Sequence, residues 1–320
     1  MKLFWIVSLF ATCAVSLFAA DENTAVVTFT SSACPVGAVS EKAIFSVADG
    51  KQVYFSKGLL QYQASTNTWR FAGKQYDIIE AGSNGSDPVL VADGFTPGSN
   101  NLEISSTYTG WIDLFCWASS GYHDEDDAGN LYYQPYVVDN SNSGGGYGPS
   151  DGTTGIAGTN YDWGIYLPIS NGGNEVGQWR TLTAGEWSYL LNRSGDKCRY
   201  GWVGPPDYWQ IGGLILLPDE WDGDNPWKEG DFYDNYWDLE EWSVLEAKGA
   251  ILLPEYGYKQ YGYNITQRGA YWLSNSHWNN SNRNAEYLYF HMSQKTVTKQ
   301  VGHNNLARST RCAVRLVRDK

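Results

Sequence analysis

Thr183 and Glu186 stand three residues apart at the head of an apolar run, and Asp238 and Glu241 repeat the arrangement later in the chain. A Thr or Asp that caps a helix start, with a Glu three residues on reaching back to the cap's own N–H, satisfies two of the amides a helix start leaves orphaned. The spacing therefore predicts one helix from Thr183, with Trp187, Tyr189, Leu190 and Leu191 on its apolar side and an exit over 192–195. A second helix follows Asp238, with Trp242, Val244 and Leu245 facing inward and Gly249 ending it. Everything else must be strands and loops arranged around these two helices.

The strand signals are short. Gly213-Leu214-Ile215-Leu216-Leu217-Pro218 is echoed by Gly249-Ala250-Ile251-Leu252-Leu253-Pro254. Runs with no polar face predict strands buried on both sides. Asp49-Gly50 between Ile44-Phe45-Ser46-Val47 and Val53-Tyr54-Phe55 predicts a hairpin. Gly58 to Gln63 and Thr68 to Phe71 read as two strands around a polar turn at Ser65 to Asn67. Gly269 to Ser274 begins the last stretch, Tyr287 to Phe290 reads as a strand, and Ala313 to Arg318, alternating apolar and basic, predicts a half-buried closing strand. The stretches 80–101, 123–129 and 139–158 read as loops, the last as a surface excursion and not a hinge. Asn275 to Asn284 reads as a polar loop. The expectation is an α+β protein: residues 1–20 a signal peptide, 21–42 a leader or edge strand, and 43–320 one elaborated domain.

The signal peptide is read from Lys2, the apolar run Leu3 to Phe18 and the small pair Ala19-Ala20. That run is too short to span a bilayer, so no membrane span is expected. Export to the periplasm, the cell surface or the medium follows. Without Lys2 the formal charge of −13 becomes about −14, a balance that repels phosphate backbones and argues against nucleic-acid partners. Cys34, Cys116, Cys198 and Cys312 remain after cleavage. In an exported chain they are candidates for two disulfides, with free thiols as the alternative.

Aromatic faces and amides cluster late. Trp272, Asn275, His277, Trp278, Asn279, Asn282, Tyr287 and Tyr289 are the candidate ligand-binding residues. Flat apolar rings beside groups that donate and accept hydrogen bonds suit a glycan or a protein partner. Asp219, Asp222 and Asp224 around Gly223 offer hard oxygen ligands that would suit calcium, the one cofactor considered. No catalytic residue is assigned. The expected function is a non-enzymatic binding or adhesion module. The alternatives are a glycan-active hydrolase using acidic loops such as Asp124 to Asp127, or a purely structural surface component.

Thr181-Leu182-Thr183-Ala184-Gly185-Glu186-Trp187, then Tyr271-Trp272-Leu273-Ser274, then Arg311-Cys312-Ala313-Val314-Arg315 together resemble the formylglycine-generating enzyme, or sulfatase-modifying factor, family. With Val53-Tyr54-Phe55-Ser56, the chain more closely resembles the FISUMP-like exported paralogous-domain proteins of gut and rumen bacteria. The resemblance runs from Phe45 to Asp319 and implies a C-type-lectin-like fold: two helices, a small twisted antiparallel sheet and long irregular loops. It does not extend to the oxidase chemistry, which needs a late pair of cysteines where this chain has Cys312 alone.

Overall fold

The computed structural model describes residues 34–79, 105–123, 133–137, 148–149, 154–205, 210–228, 235–260, 263–265, 268–279, 282–293 and 296–320. The segment 1–20, expected to be a signal peptide, Asp124 to Asp127 and most of 139–158 lie outside these residues. Cys34 to Lys320 is one compact unit. It is α+β, with two helices and mostly antiparallel sheets among the described residues.

Strands β1 (Ile44–Ala48) and β2 (Lys51–Phe55) form the hairpin expected at Asp49-Gly50. Gly50 takes φ +70°, a conformation open to glycine and costly to most residues. β3 (Leu60–Gln63) and β4 (Thr68–Phe71) pair around a 3-10 turn closed by Asn67 at φ 49°. Helix α1 (Ala184–Leu191) carries the predicted capping box: Thr183 Oγ1 accepts from Glu186 N–H, and the Glu186 carboxylate accepts from Thr183 N–H. Four strands follow in the sheet order β7-β5-β6-β8: β5 (Cys198–Val203), β6 (Ile211–Leu216), β7 (Tyr236–Trp237) and β8 (Ile251–Pro254). The two echoed apolar runs are neighbours, with Leu214 opposite Leu253 and Ile215 opposite Leu252, and every residue of both is buried. Helix α2 (Leu239–Ala247) has its own capping box on Asp238, and Gly249 exits at φ +99°. Its inward side differs from expectation. Trp242 is buried, but Val244 is 53% exposed, because on a 3.6-residue turn it points away from the side Trp242 and Leu245 share.

β9 (Tyr258–Gln260) and β10 (Tyr263–Ile265) form a small hairpin ahead of a longer sheet, β11 (Gly269–Asn279), β12 (Asn282–Ser293) and β13 (Thr296–Ala307). The first half of β11 and its partners on β12 lie between two cores. Tyr271, Leu273, Leu288 and Phe290 join Phe55, Trp187, Leu214, Trp242 and Leu252 on one side. Ala270, Trp272, Ala285 and Tyr287 join Trp69, Phe115, Trp117, Trp163 and Trp179 on the other. A strand with both faces covered has no room for a polar residue, which is why these runs read as continuously apolar. Each such side chain removed from water contributes about 1.5–3 kcal/mol.

The closing strand departs from the predicted pattern. Only β14 (Val317–Asp319) is strand, pairing with the free edge of β2 so that the chain's end meets its first hairpin. Ala313 to Val317 is buried throughout, Arg315 included. Arg315 donates to Gln75 Oε1 at 2.8 Å, and Gln75 in turn donates to Ala250 O and Glu246. Burial lowers the Arg315 pKa to about 10.

Candidate functional site

The segment Arg180 to Ala184 is the pivot of the late sheet. Arg180 reaches Glu186 through both terminal nitrogens at 2.9 Å and Asp319 at 2.6 Å, and Lys51 adds a second cation at 2.8 Å from Glu186. Burial works against the charged Glu186, yet hydrogen bonds from Arg180, Lys51 and Thr183 hold its carboxyl down at about 2. On the other side, fully buried Asp162 accepts from Thr181 N–H and Thr181 Oγ1. Desolvation outweighs those bonds and pushes its carboxyl up to about 7. Where β11 crosses this segment, Ser274 N–H donates to Leu182 O and Asn275 Oδ1 accepts from Ala184 N–H. Asn275, expected to meet a ligand, thus holds the first turn of α1 against the sheet.

Beyond the crossing, residues expected to form a loop are a β-ladder. Ser276 pairs with Ala285, His277 with Asn284, Trp278 with Arg283 and Asn279 with Asn282. β12 then pairs with β13, Asn284 opposite Ala307 and Glu286 opposite Asn305. Neighbouring strands on both sides of β12 satisfy its amides, overriding the low strand preference of Asn and Ser. For Trp278, Asn279 and Asn282, only this backbone pairing falls among the described residues; their side chains do not.

The pleat divides the predicted set between two faces. Trp272 and Tyr287 are core residues, at 1% and 6% exposure, with Trp272 Nε1 donating to Phe115 O at 2.7 Å. Tyr289 follows them on that face, half-buried, beside His291 and under the Arg268 guanidinium. His277 is on the other face. Its Nδ1 lies 3.7 Å from Glu286 Oε1, and beside it Asn284 Nδ2 donates to Asn305 Oδ1 at 2.6 Å. All four are partly exposed. Behind them, buried Arg308 donates to Asn284 O and to Ser276 Oγ and lies over the Trp117 ring at 4.3 Å, which fixes the strand from its covered side. Glu286 and Asn305 were not among the expected residues. Reading 282–286 with a period of two would have put Asn284 and Glu286 on one face.

The proposed cation ligands do not meet. Asp219 accepts from Ser46 at 2.7 Å, Gln52 at 2.9 Å and Arg193 at 2.7 Å, which together hold its carboxyl below the usual range although burial opposes them. Asp222 pairs with Lys42. Among the described residues, no three His, Cys, Asp or Glu side chains gather as a cation site. A cavity of about 490 Å³ opens beside Asp219, lined by Ser46, Arg193, Ser194 and Lys197. There Arg193 is engaged through all three nitrogens, with Leu190 O, Asp219 and Leu217 O.

Cys34, Cys116, Cys198 and Cys312 are free thiols. Phe115, and not Cys116, is the residue that bridges Cys312 through the backbone. A disulfide requires Cβ atoms about 3.5–4.5 Å apart. Cys116 instead donates to Ser309 O, and burial pushes the Cys312 thiol well up. Cys198 accepts from Lys299 Nζ at 3.5 Å. Comparison with known proteins returns no match: no family model, no curated sequence and no solved structure resembles the chain.

What the arrangement offers is a fixed polar surface: an imidazole, a carboxylate and two amides on adjacent strands.

Proposed function

We propose that the chain is an exported, non-enzymatic recognition protein with a C-type-lectin-like fold, related to the FISUMP-like group, and that it holds a glycan on the far half of its late sheet. The observation that carries this is the contrast within β11 and β12. The first half of β11 and the part of β12 paired with it are locked between two cores, while His277, Asn284, Glu286 and, on β13, Asn305 share one partly exposed face beyond the pivot. Amide, imidazole and carboxylate groups on a rigid ladder can bond several sugar hydroxyls at once with little ordering cost. Trp278, Asn279 and Asn282 continue along the same two strands toward the hairpin end. Two capped helices, several small antiparallel sheets and long irregular connections support the lectin-like reading. Asp113, Asp162, Glu186 and Asp219 each bond to Tyr256, Thr181, Arg180 or Arg193, and this favours a binding role over a hydrolase built on paired carboxylates.

The test is a glycan array probed with the full exported chain and with the double variant His277→Ala/Asn284→Ala. The reading expects a subset of glycans retained by the parent and lost by the variant at unchanged melting temperature. Equal retention by both, or retention of peptides and no glycans, overturns it.

A further inference from the structure

A second concave surface lies away from the late sheet, where the turn between β3 and β4 meets the segments 121–123, 133–137 and 166–167. It encloses about 380 Å³, lined by Tyr62, Asn67, Tyr133, Gln134, Tyr136 and Tyr166 among others. That volume falls toward the small end of ligand sites, which run from about 300 to 1,000 Å³. It suits a short ligand and not a protein surface.

Several polar side-chain atoms of this cleft take no hydrogen bond among the described residues. Tyr62 donates its hydroxyl to Asn67 Oδ1 at 2.9 Å, which orients the Asn67 amide. Among the described residues, the Asn67 NH2, the Gln134 side-chain amide and the hydroxyls of Tyr133, Tyr136 and Tyr166 take no protein partner. The ring of Tyr122 buttresses the wall, edge-on to Tyr161 at 5.1 Å and to Tyr166 at 5.3 Å. Burial and the neighbouring Tyr136 push the Tyr62 phenol up to about 12, so it stays a neutral donor at any physiological pH. Besides the tyrosines, His123 is a titratable side chain in the lining; no Asp, Glu, Lys or Arg joins it among the described residues.

This chemistry selects its ligand. Phenol faces carry negative charge density and attract the weakly positive C–H face of a sugar ring. Amides and hydroxyls that both donate and accept match a sugar's hydroxyl groups. A phosphate or uronate would find no lining Lys or Arg among the described residues, and the acidic chain would repel it. An extended peptide would want a free strand edge. Both edges here are occupied, β3 by Ile112 through Tyr62 and β4 by Ile169 and Ser170 through Trp69. We infer that the cleft between Tyr62, Asn67, Tyr133, Gln134, Tyr136 and Tyr166 is a binding site for a short, neutral saccharide, separate from the late sheet and independent of the function proposed for it.

The experiment is isothermal titration of the full exported chain with cellobiose, xylobiose, mannobiose and lactose, with digalacturonate as the charged comparison. At least one neutral disaccharide is expected to bind in the millimolar range or tighter. Tyr166→Ala and Gln134→Ala, both at side chains without hydrogen bonds among the described residues, are each expected to weaken that binding about tenfold, a change of roughly 1.4 kcal/mol. The late-sheet variant His277→Ala/Asn284→Ala is expected to bind as the parent does. The inference is overturned if no neutral disaccharide binds, if both cleft variants bind like the parent, if digalacturonate binds as tightly, or if only the late-sheet variant loses binding.

Discussion

The two halves of the β11–β12 ladder have the same backbone and opposite surroundings. Near Gly269 the side chains alternate between two aromatic cores, and a Cβ added at Gly269 would collide with the Phe290 ring. Past Asn275 one face still has cover, from Arg308 over Trp117, while the other turns His277 and Asn284 toward solvent. Hydrogen-bonded pairing is therefore not what makes a strand structural or available. The layer packed against each face decides it, and the switch falls where the Leu182–Ala184 segment crosses β11.

That contrast should be visible in stability. Trp272→Ala removes a fully buried indole and its bond to Phe115 O, and should cost about 3–5 kcal/mol in denaturant unfolding. A loss under about 1 kcal/mol would mean that the base is not core.

The pivot between the halves should respond to pH in two directions. Asp162 binds its proton more tightly folded than unfolded, so its contribution is full below about pH 4 and lost as pH rises through about 7. Glu186 is the reverse: its contribution is present above about pH 4.5 and lost as pH falls through about 2. Melting temperatures across this range should show a neutral limb flattened by Asp162→Asn and an acid limb flattened by Glu186→Gln. A parent curve that Asp162→Asn leaves unchanged would refute the buried-acid assignment.

Smaller effects follow at the helix start. Thr183→Ala loses the cap of α1 and should cost about 1 kcal/mol. At the far end, His277→Ala and Asn284→Ala should each change stability by no more than about 0.5 kcal/mol, whatever they do to binding. A large loss there would make the far end a second structural half and erase the distinction.

The features that could be read in the sequence were local ones. A capping box is complete within four residues, so both helices and their starts follow from Thr183–Glu186 and Asp238–Glu241. The echoed apolar runs needed only their own composition to be placed as buried strands, although their pairing with each other is a tertiary fact. The far half of the late hairpin was hidden because Asn and Ser are turn residues by local preference, and the partner that makes β12 a central strand comes from 296–307. Arg315 was hidden for a similar reason: a basic residue alternating with apolar ones reads as solvent-facing until Gln75, 240 residues away, is seen to receive it. Asn275 has the composition of a binding residue and the position of a cap. The tyrosine cleft draws its lining from well-separated segments, none distinctive alone.

Residue-resolved amide hydrogen exchange, with and without a glycan taken from the array, puts the central claim to its most direct test. The account predicts that amides of Tyr271, Trp272, Leu288 and Phe290 exchange only through global unfolding in both states. Those of His277, Asn284 and Asn305 should exchange faster in the free chain and slow when the glycan binds. Far-end amides as slow as the base without glycan, or protection that appears elsewhere and leaves them unchanged, would contradict it.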